Sequence, residues 1–241
     1  MAVFIVGASG GIGRELTAML VARGERLFLA GRLEDKTAAI AAEYDAPFAC
    51  FDAADEQGYA AAVEKAKASV GELSAFVNLA GSIFLRSAHM TSLADWDKTI
   101  RENLTTAFLT VKLATTHMQK SGGSIVLMSS AAARIGLANH EAIAAAKAGV
   151  IGLMQSAAAS YAAKNIRVNA VAPGLVDTPM GAPIVSNEMA LKFSKAMHPL
   201  GRIGTPRSVA SLIAWLLSAD AEWVTGQVYG IDGGLGTVRS R

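Results

Sequence analysis

The sequence predicts an α/β domain whose parallel sheet is covered by helices on both faces. Three observations predict it. Short runs that are apolar throughout, rather than alternating, recur along the chain, as strands buried on both sides require. Segments of helical period separate them in strict alternation. Each run stops at a small, polar or turn-forming residue, and the first opens into a turn dense in glycine.

In order, the first strand is Val3–Val6, followed by a helix to about Ala22 with Leu16, Met19, Leu20 and Arg23 at three- and four-residue spacing. Leu27–Ala30 is the second strand, closed by Gly31-Arg32, with a helix near Lys36–Tyr44. Phe48–Phe51 is the third, ending at Asp52, with a helix over about Gly58–Val70. Ala75–Asn78 is the fourth, stopped by Leu79-Ala80-Gly81. Thr91–Gln119 is mostly helical, with a break or join expected around Trp96. Ser124–Met128 is the fifth strand and runs into Ser129-Ser130; the alanine-rich helix Glu141–Ala163 follows, with Asn139 as its candidate N-cap. Arg167–Val171 is the sixth strand, then Pro173-Gly174; Val209–Leu217 is a late helix, and Gln227–Ile231 the seventh strand. Between them, residues 175–206 hold four of the six prolines and Met180, Met189 and Met197. This stretch is either a long surface connection or a mobile apolar lid, and the lid is the reading adopted. No linker or repeat divides the chain, so residues 1–241 are expected to form one domain.

Composition narrows the function. With 241 residues and 52% hydrophobic residues, a large core is easily built, and only 17% are charged, which suggests apolar surface shared between subunits. The formal charge of +2 gives no reason to expect nucleic acid or an anionic membrane as partner. The single cysteine, Cys50, excludes an internal disulfide and fits a reducing compartment. No signal-peptide pattern and no bilayer-spanning run is expected, so the protein is read as soluble and cytoplasmic. No residue is assigned to a metal.

The chemistry starts at the first turn. Gly7, Gly11 and Gly13 are spaced G-x-x-x-G-x-G between a strand and a helix. Glycine lets the backbone turn sharply and approach a ligand closely. The helix start then points unpaired N–H groups and its positive dipole end at the turn, where a pyrophosphate would sit. Tight packing alone also accounts for such a turn. The other strand ends at Gly31-Arg32, Asp52, Asn78, Ser130 and Pro173 gather small and polar residues along one sheet edge, where ligands of such sheets bind.

Together these features resemble the short-chain dehydrogenase/reductase family over nearly the whole chain. The marks are the glycine spacing, Asp52, Asn78-Leu79-Ala80-Gly81, Asn103, Ser130, Lys147, Pro173-Gly174 running to Thr178, and Thr225-Gly226-Gln227 with Asp232-Gly233-Gly234 near the end. The resemblance implies a Rossmann-type, doubly wound sheet and a nicotinamide dinucleotide. By position, Gly7, Ser9, Gly10, Gly11, Ile12 and Gly13 lie along the pyrophosphate. Asp52 and Ala53 flank the adenine, and Asn78, Ala80 and Gly81 follow the ribose. Lys147 holds the nicotinamide ribose, and Pro173, Gly174, Val176 and Thr178 bracket the nicotinamide. At the end of the second strand an acid suits the 2′-hydroxyl of NAD(H), whereas arginine suits the 2′-phosphate of NADP(H). Arg32, with no acid before Glu34, selects NADP(H), with NAD(H) as the alternative, although Gly10 stands where many NADP-using members carry a base. A homo-oligomer, dimer or tetramer, is implied as well, through the helices Thr106–Gln119 and Glu141–Ala163.

The chain departs from the family at one place. The family's site combines Asn, Ser, Tyr and Lys, with the tyrosine four residues before the lysine as general acid or base. Asn103, Ser130 and Lys147 are present as catalytic candidates, and Ser130 lies thirteen residues before Ile143, but Ile143 occupies the tyrosine's position. Isoleucine has no proton to give, and general acid catalysis is worth about 10²–10⁴-fold. The proton could come from His140, one turn before Ile143, from Glu141, from a desolvated Lys147, or from water. The expected function is hydride transfer between NADP(H) and a carbonyl or alcohol; the alternative is a dinucleotide-binding sensor or scaffold.

Overall fold

The computed structural model describes residues 1–238. Seven strands form one parallel sheet: β1 (Ala2–Val6), β2 (Arg26–Gly31), β3 (Phe48–Cys50), β4 (Ala75–Asn78), β5 (Gly123–Met128), β6 (Ile166–Pro173) and β7 (Val228–Ile231). Their order is β3-β2-β1-β4-β5-β6-β7. The doubly wound sheet expected from the sequence is therefore present.

The absence of alternation in the strands has its cause in two cores. Along β1, Ala2, Phe4 and Val6 enter one core and Val3 and Ile5 the other. The first core is closed by α3 (Glu56–Val70), α5 (Thr106–Met118) and α6 (Glu141–Tyr161). The second is closed by α1 (Gly11–Val21), α2 (Glu34–Glu43) and α9 (Pro206–Leu217). A strand with helices over both faces has no solvated side on which to place polar residues.

The chain winds from β1 outward to β2 and β3, then returns to lay β4 on the other side of β1. Val6 is thus paired in register with Ala30 on one side and Asn78 on the other. Such a reversal leaves a crevice beyond the carboxyl ends of β1 and β4, and ligands bind there in sheets of this kind.

Several boundaries differ from the sequence expectation. The irregularity between Thr91 and Gln119 is not at Trp96. Trp96 lies inside α4 (Leu93–Ile100), whose start is capped by Ser92 Oγ accepting from Asp95 N at 3.1 Å. The break is a turn of π-helix at Arg101–Thr105 that carries Asn103. Residues 175–206 are more regular than their prolines suggest. They contain α7 (Ala182–Val185) and α8 (Glu188–Met197), the latter capped by Asn187 Oδ1 accepting from Ala190 N at 3.0 Å. The prolines punctuate these helices: Pro183 is in the first turn of α7, Pro199 follows α8, and Pro206 begins α9. Asn139 does not cap α6. It sits at φ 62°, and His140 occupies the cap position. Residues Glu141–Lys164 are also long and apolar enough to cross a membrane by length and composition, contrary to expectation. In the fold this helix is packed on the sheet, with Ala146, Val150 and Met154 fully buried.

Candidate active site

Several helices start at a side-chain cap: Asp55 caps α3 and Thr205 caps α9. At α1 the cap is Gly10, with no side-chain bond. The first backbone bond of that helix is Arg14 N to Gly10 O, 2.9 Å, so the N–H groups of Gly11, Ile12 and Gly13 precede it. The turn is also tightly built. Gly7 has φ +81°, and a Cβ there would lie 2.9 Å from the Leu79 carbonyl carbon. A Cβ on Gly13 would lie 2.5 Å from the carbonyl oxygens of Gly7 and Ala8. At Gly11 it would lie 3.0 Å from Thr178 Cγ2. A helix start stripped of side chains and rich in free donors fits the pyrophosphate of a dinucleotide.

From this turn a cleft of about 430 Å³ runs along the carboxyl ends of the strands. It is lined by Gly7, Gly10, Gly11, Ile12 and Gly13 at one end. Ala80, Gly81, Asn103, Ser130, Lys147, Pro173, Gly174, Val176 and Thr178 line it further along. Residues spread over the whole sequence thus meet in one space.

At its middle, Lys147 is 6% exposed on α6. Its Nζ donates to the Met128 carbonyl at the end of β5, 3.0 Å, while Ser129 Oγ donates to the Lys147 carbonyl, 2.9 Å. Burial disfavours the ammonium and lowers its pKa to about 8. Asn103 is buried: Nδ2 donates to Thr99 O (3.0 Å) and Ser82 Oγ (3.1 Å), and Oδ1 accepts from Ser82 N (3.2 Å). A Cβ on Gly81 would be 2.7 Å from Asn103 Oδ1 and 3.3 Å from Lys147 Nζ, so glycine here lets both side chains close on the strand end. Ser130 Oγ accepts from Ala132 N at 3.2 Å and keeps its hydroxyl hydrogen free for an oxygen in the cleft.

Ile143 lines the cleft and is 5% exposed. None of the four tyrosines does: Tyr59, for one, is fully buried and bonded to Thr110. His140 lines the cleft too, its Nδ1 2.8 Å from Ala138 O. Glu141 does not; its carboxylate accepts from Ala88 N at 3.4 Å on the surface.

Five further sequence candidates lie outside the cleft lining. Asn78 is buried and its Oδ1 accepts from Ala80 N, 2.9 Å, holding the strand-end turn. Ser9 places its hydroxyl beside Gly31, and Ala53 is half-buried beyond β3. Asp52 is exposed; it accepts from Ala54 N and from Arg101 Nη2, each at 2.9 Å, and these bonds hold its carboxyl below the ordinary value. Arg32 is 73% exposed, with Glu102 at 3.9 Å. Ser9, Arg32, Asp52 and Ala53 lie around the ends of β2 and β3, where the outer half of an extended dinucleotide would reach, whereas Asn78 ends β4.

Sequence reasoning missed His198, which is buried and lines the cleft. Its Nδ1 is 2.6 Å from Ser194 O and its Nε2 accepts from Leu175 N, 3.2 Å, so the proton sits on Nδ1. It thereby ties the end of α8 to the end of β6, and a side chain on Gly174 would collide with it. Only its place at the end of an amphipathic run hinted at this.

The chain matches the family described as "Enoyl-(Acyl carrier protein) reductase" over residues 7–236. Cis-4-hydroxycyclohexanecarboxylate dehydrogenase of Sinomonas cyclohexanicum is 37% identical over 236 residues, covering 95% of this chain and 94% of that protein. A short-chain type dehydrogenase/reductase from Mycobacterium ulcerans has the same fold, with a TM-score of 0.94 at 31% identity over 99% of this chain and 90% of that one. A variant actinorhodin polyketide ketoreductase, solved with NADPH, gives 0.93 at 28% identity over 98% of this chain and 97% of its own.

Proposed function

The chain belongs to the short-chain dehydrogenase/reductase family, and from that membership we propose that it transfers a hydride between NADP(H) and a carbonyl or alcohol, with Ile143 in place of the family's tyrosine. The observation that carries the proposal is that the glycine turn, Ser130, Asn103 and Lys147 line one continuous cleft. When bound, the nicotinamide dinucleotide supplies or accepts the hydride.

The chain's residues do the rest. The N–H groups of Gly11, Ile12 and Gly13 hold the pyrophosphate, and Arg32 meets the 2′-phosphate with a planar fork that Glu102, at 3.9 Å, leaves largely free. Ser130 donates to the substrate oxygen and fixes it in the cleft. Lys147 gives that oxygen its proton during reduction and takes one during oxidation. Desolvation makes the ammonium a better acid, and about 8 is close to working pH, which general acid–base catalysis favours. Asn103, with Ser82, keeps the strand end closed against Lys147. Residues 175–206 cover the substrate as a lid, with Met180, Ile184 and Met197 on the cleft and His198 as the tie to β6.

A second reading has one observation in its favour: the position where the family acts on a proton is a buried hydrocarbon. On that reading the chain binds the dinucleotide as a sensor or scaffold. A panel of carbonyls and alcohols, assayed in both directions with Lys147→Ala alongside, decides between them. Turnover that disappears in Lys147→Ala is the expected result. Tight NADPH binding with no turnover on any compound supports the sensor.

The oligomer is part of the proposal. Leu93, Trp96 and Phe108 leave apolar surface exposed on α4 and α5, which fits burial against a second copy. Light scattering in solution should give a dimer or tetramer. Cytoplasmic placement is supported by Cys50, which is exposed and unpaired.

A further inference from the structure

We propose that the substrate is a neutral, largely apolar alcohol or ketone, and that the site rejects compounds with a carboxylate, sulfonate or phosphate near the reacting carbon. This rests on the oxidoreductase reading above and names the substrate class of that site.

The cleft has two ends of different character. At the glycine turn, free N–H groups and a helix dipole accept negative charge. Beyond Ser130 the wall is hydrocarbon: Ile83, Leu85, Leu137, Ile143, Met180 and Phe193. Among the described residues no arginine, aspartate or glutamate lines the cleft, and Lys147 is its one lysine. On the oxidoreductase reading that ammonium is divided between the Met128 carbonyl, 3.0 Å away, and the reacting oxygen, which leaves it no duty toward a second anion.

Among the described residues, three basic groups near the cleft are engaged within the fold. Arg134 lies close in sequence to the lining residue Ala132 but is turned to Asp232, 4.0 Å away. Arg86 lies over the Phe84 ring, 5.7 Å from its centroid. Both ring nitrogens of His198 are used within the fold, by Ser194 and Leu175. The start of α6 approaches the cleft through His140 and Ile143, but it carries Glu141 in its first turn, which opposes a second negative charge. A substrate carboxylate placed here would lose its water and gain no partner, a large cost. A ketone or alcohol loses little hydration, regains one hydrogen bond from Ser130, and leaves its hydrocarbon against hydrocarbon.

The test uses pairs that differ in charge and by one methyl group: oxocyclohexanecarboxylate with its methyl ester, and levulinate with its methyl ester. Each is assayed with NADPH at about pH 8, above the ordinary imidazole range. Each is also titrated calorimetrically into the protein carrying NADP⁺. The expected result is a preference for the esters of about 100-fold or more in kcat/KM or in affinity, since an unpaired buried charge costs several kcal/mol. Phe193→Arg places a cation at an exposed lid position and should narrow that preference at least about tenfold. Acids used as well as the esters, or better, overturn the proposal, as does the absence of both binding and turnover for every compound. Ester-selective binding without turnover leaves the substrate class standing and removes the hydride-transfer reading instead. Equal turnover of acids and esters does the reverse.

Discussion

Lys147 and Met128 are bound across the interior: the ammonium donates to the Met128 carbonyl at 3.0 Å, while the neighbouring Ser129 hydroxyl returns a bond to the Lys147 backbone at 2.9 Å. This clasp joins α6 to the end of β5 and holds a cation where water is scarce. Its consequence is a lysine whose pKa falls from 10.5 to about 8 through desolvation.

The first prediction concerns pH. Below about 8 Lys147 is protonated and able to donate, so the reduction rate should be level there and fall as pH rises through that value. Oxidation needs the free amine and should rise through the same range. His140→Ala should leave both profiles in place; their loss in that variant would assign the proton to the imidazole. Stability moves with pH as well. The unfolded chain binds more protons here between about 8 and 10.5, so this group makes the fold more stable as pH rises across that window. Lys147→Met should abolish the titration without lowering the unfolding midpoint at neutral pH, because it removes a buried ammonium.

Two glycines of the same turn should behave differently. A Cβ at Gly13 meets two backbone carbonyl oxygens at 2.5 Å and cannot be accommodated by a side-chain movement. Gly13→Ala should cost about 1–3 kcal/mol in denaturant unfolding and lose the dinucleotide. At Gly10 the nearest atom is Gly7 O at 3.3 Å and φ is −73°, open to any residue. Gly10→Ala should change stability by less than about 0.5 kcal/mol.

Arg32 should sort the cofactors. Its side chain is 73% exposed and its contact with Glu102 is 3.9 Å, so removing it costs the fold little. In Arg32→Ser, NADPH affinity should drop about tenfold or more while NADH affinity is unchanged, read by fluorescence titration. An equal loss for both would show that the arginine does not meet a 2′-phosphate.

Ile143→Tyr should restore an acid hydroxyl beside Lys147. Ile143 is 5% exposed, so the larger ring is expected to cost about 1–3 kcal/mol of stability. Reduction of simple ketones should nevertheless rise by about 10²-fold or more. A folded variant with no gain would mean that the cleft does not hold the tyrosine hydroxyl over the substrate oxygen.

The sequence by itself determined the strands and the glycine turn. Their signals are local: unbroken apolar runs, helical spacing, and residues that must turn. Ala75–Asn78 was legible to the residue for that reason. Local signals also misled. The prolines of residues 175–206 suggested irregularity, whereas three of the four, Pro183, Pro199 and Pro206, sit at the ends of α7, α8 and α9. The expected break at Trp96 was displaced to Arg101–Thr105, since nothing short-range distinguishes a π-turn from the helices beside it.

Environment was decided only by tertiary structure. Ser130, Asn103 and Lys147 were named by resemblance, but the depressed pKa of Lys147 depends on how completely α6 and β5 exclude water from it. Asp52 was placed on the adenine side, and the fold adds a partner, Arg101, 49 residues away. His198 became a tie between α8 and β6 only once both had been folded over the sheet edge. Periodicity records which face of an element is buried; what a buried side chain meets is set by parallel pairing that brings residues distant in sequence to the same crevice.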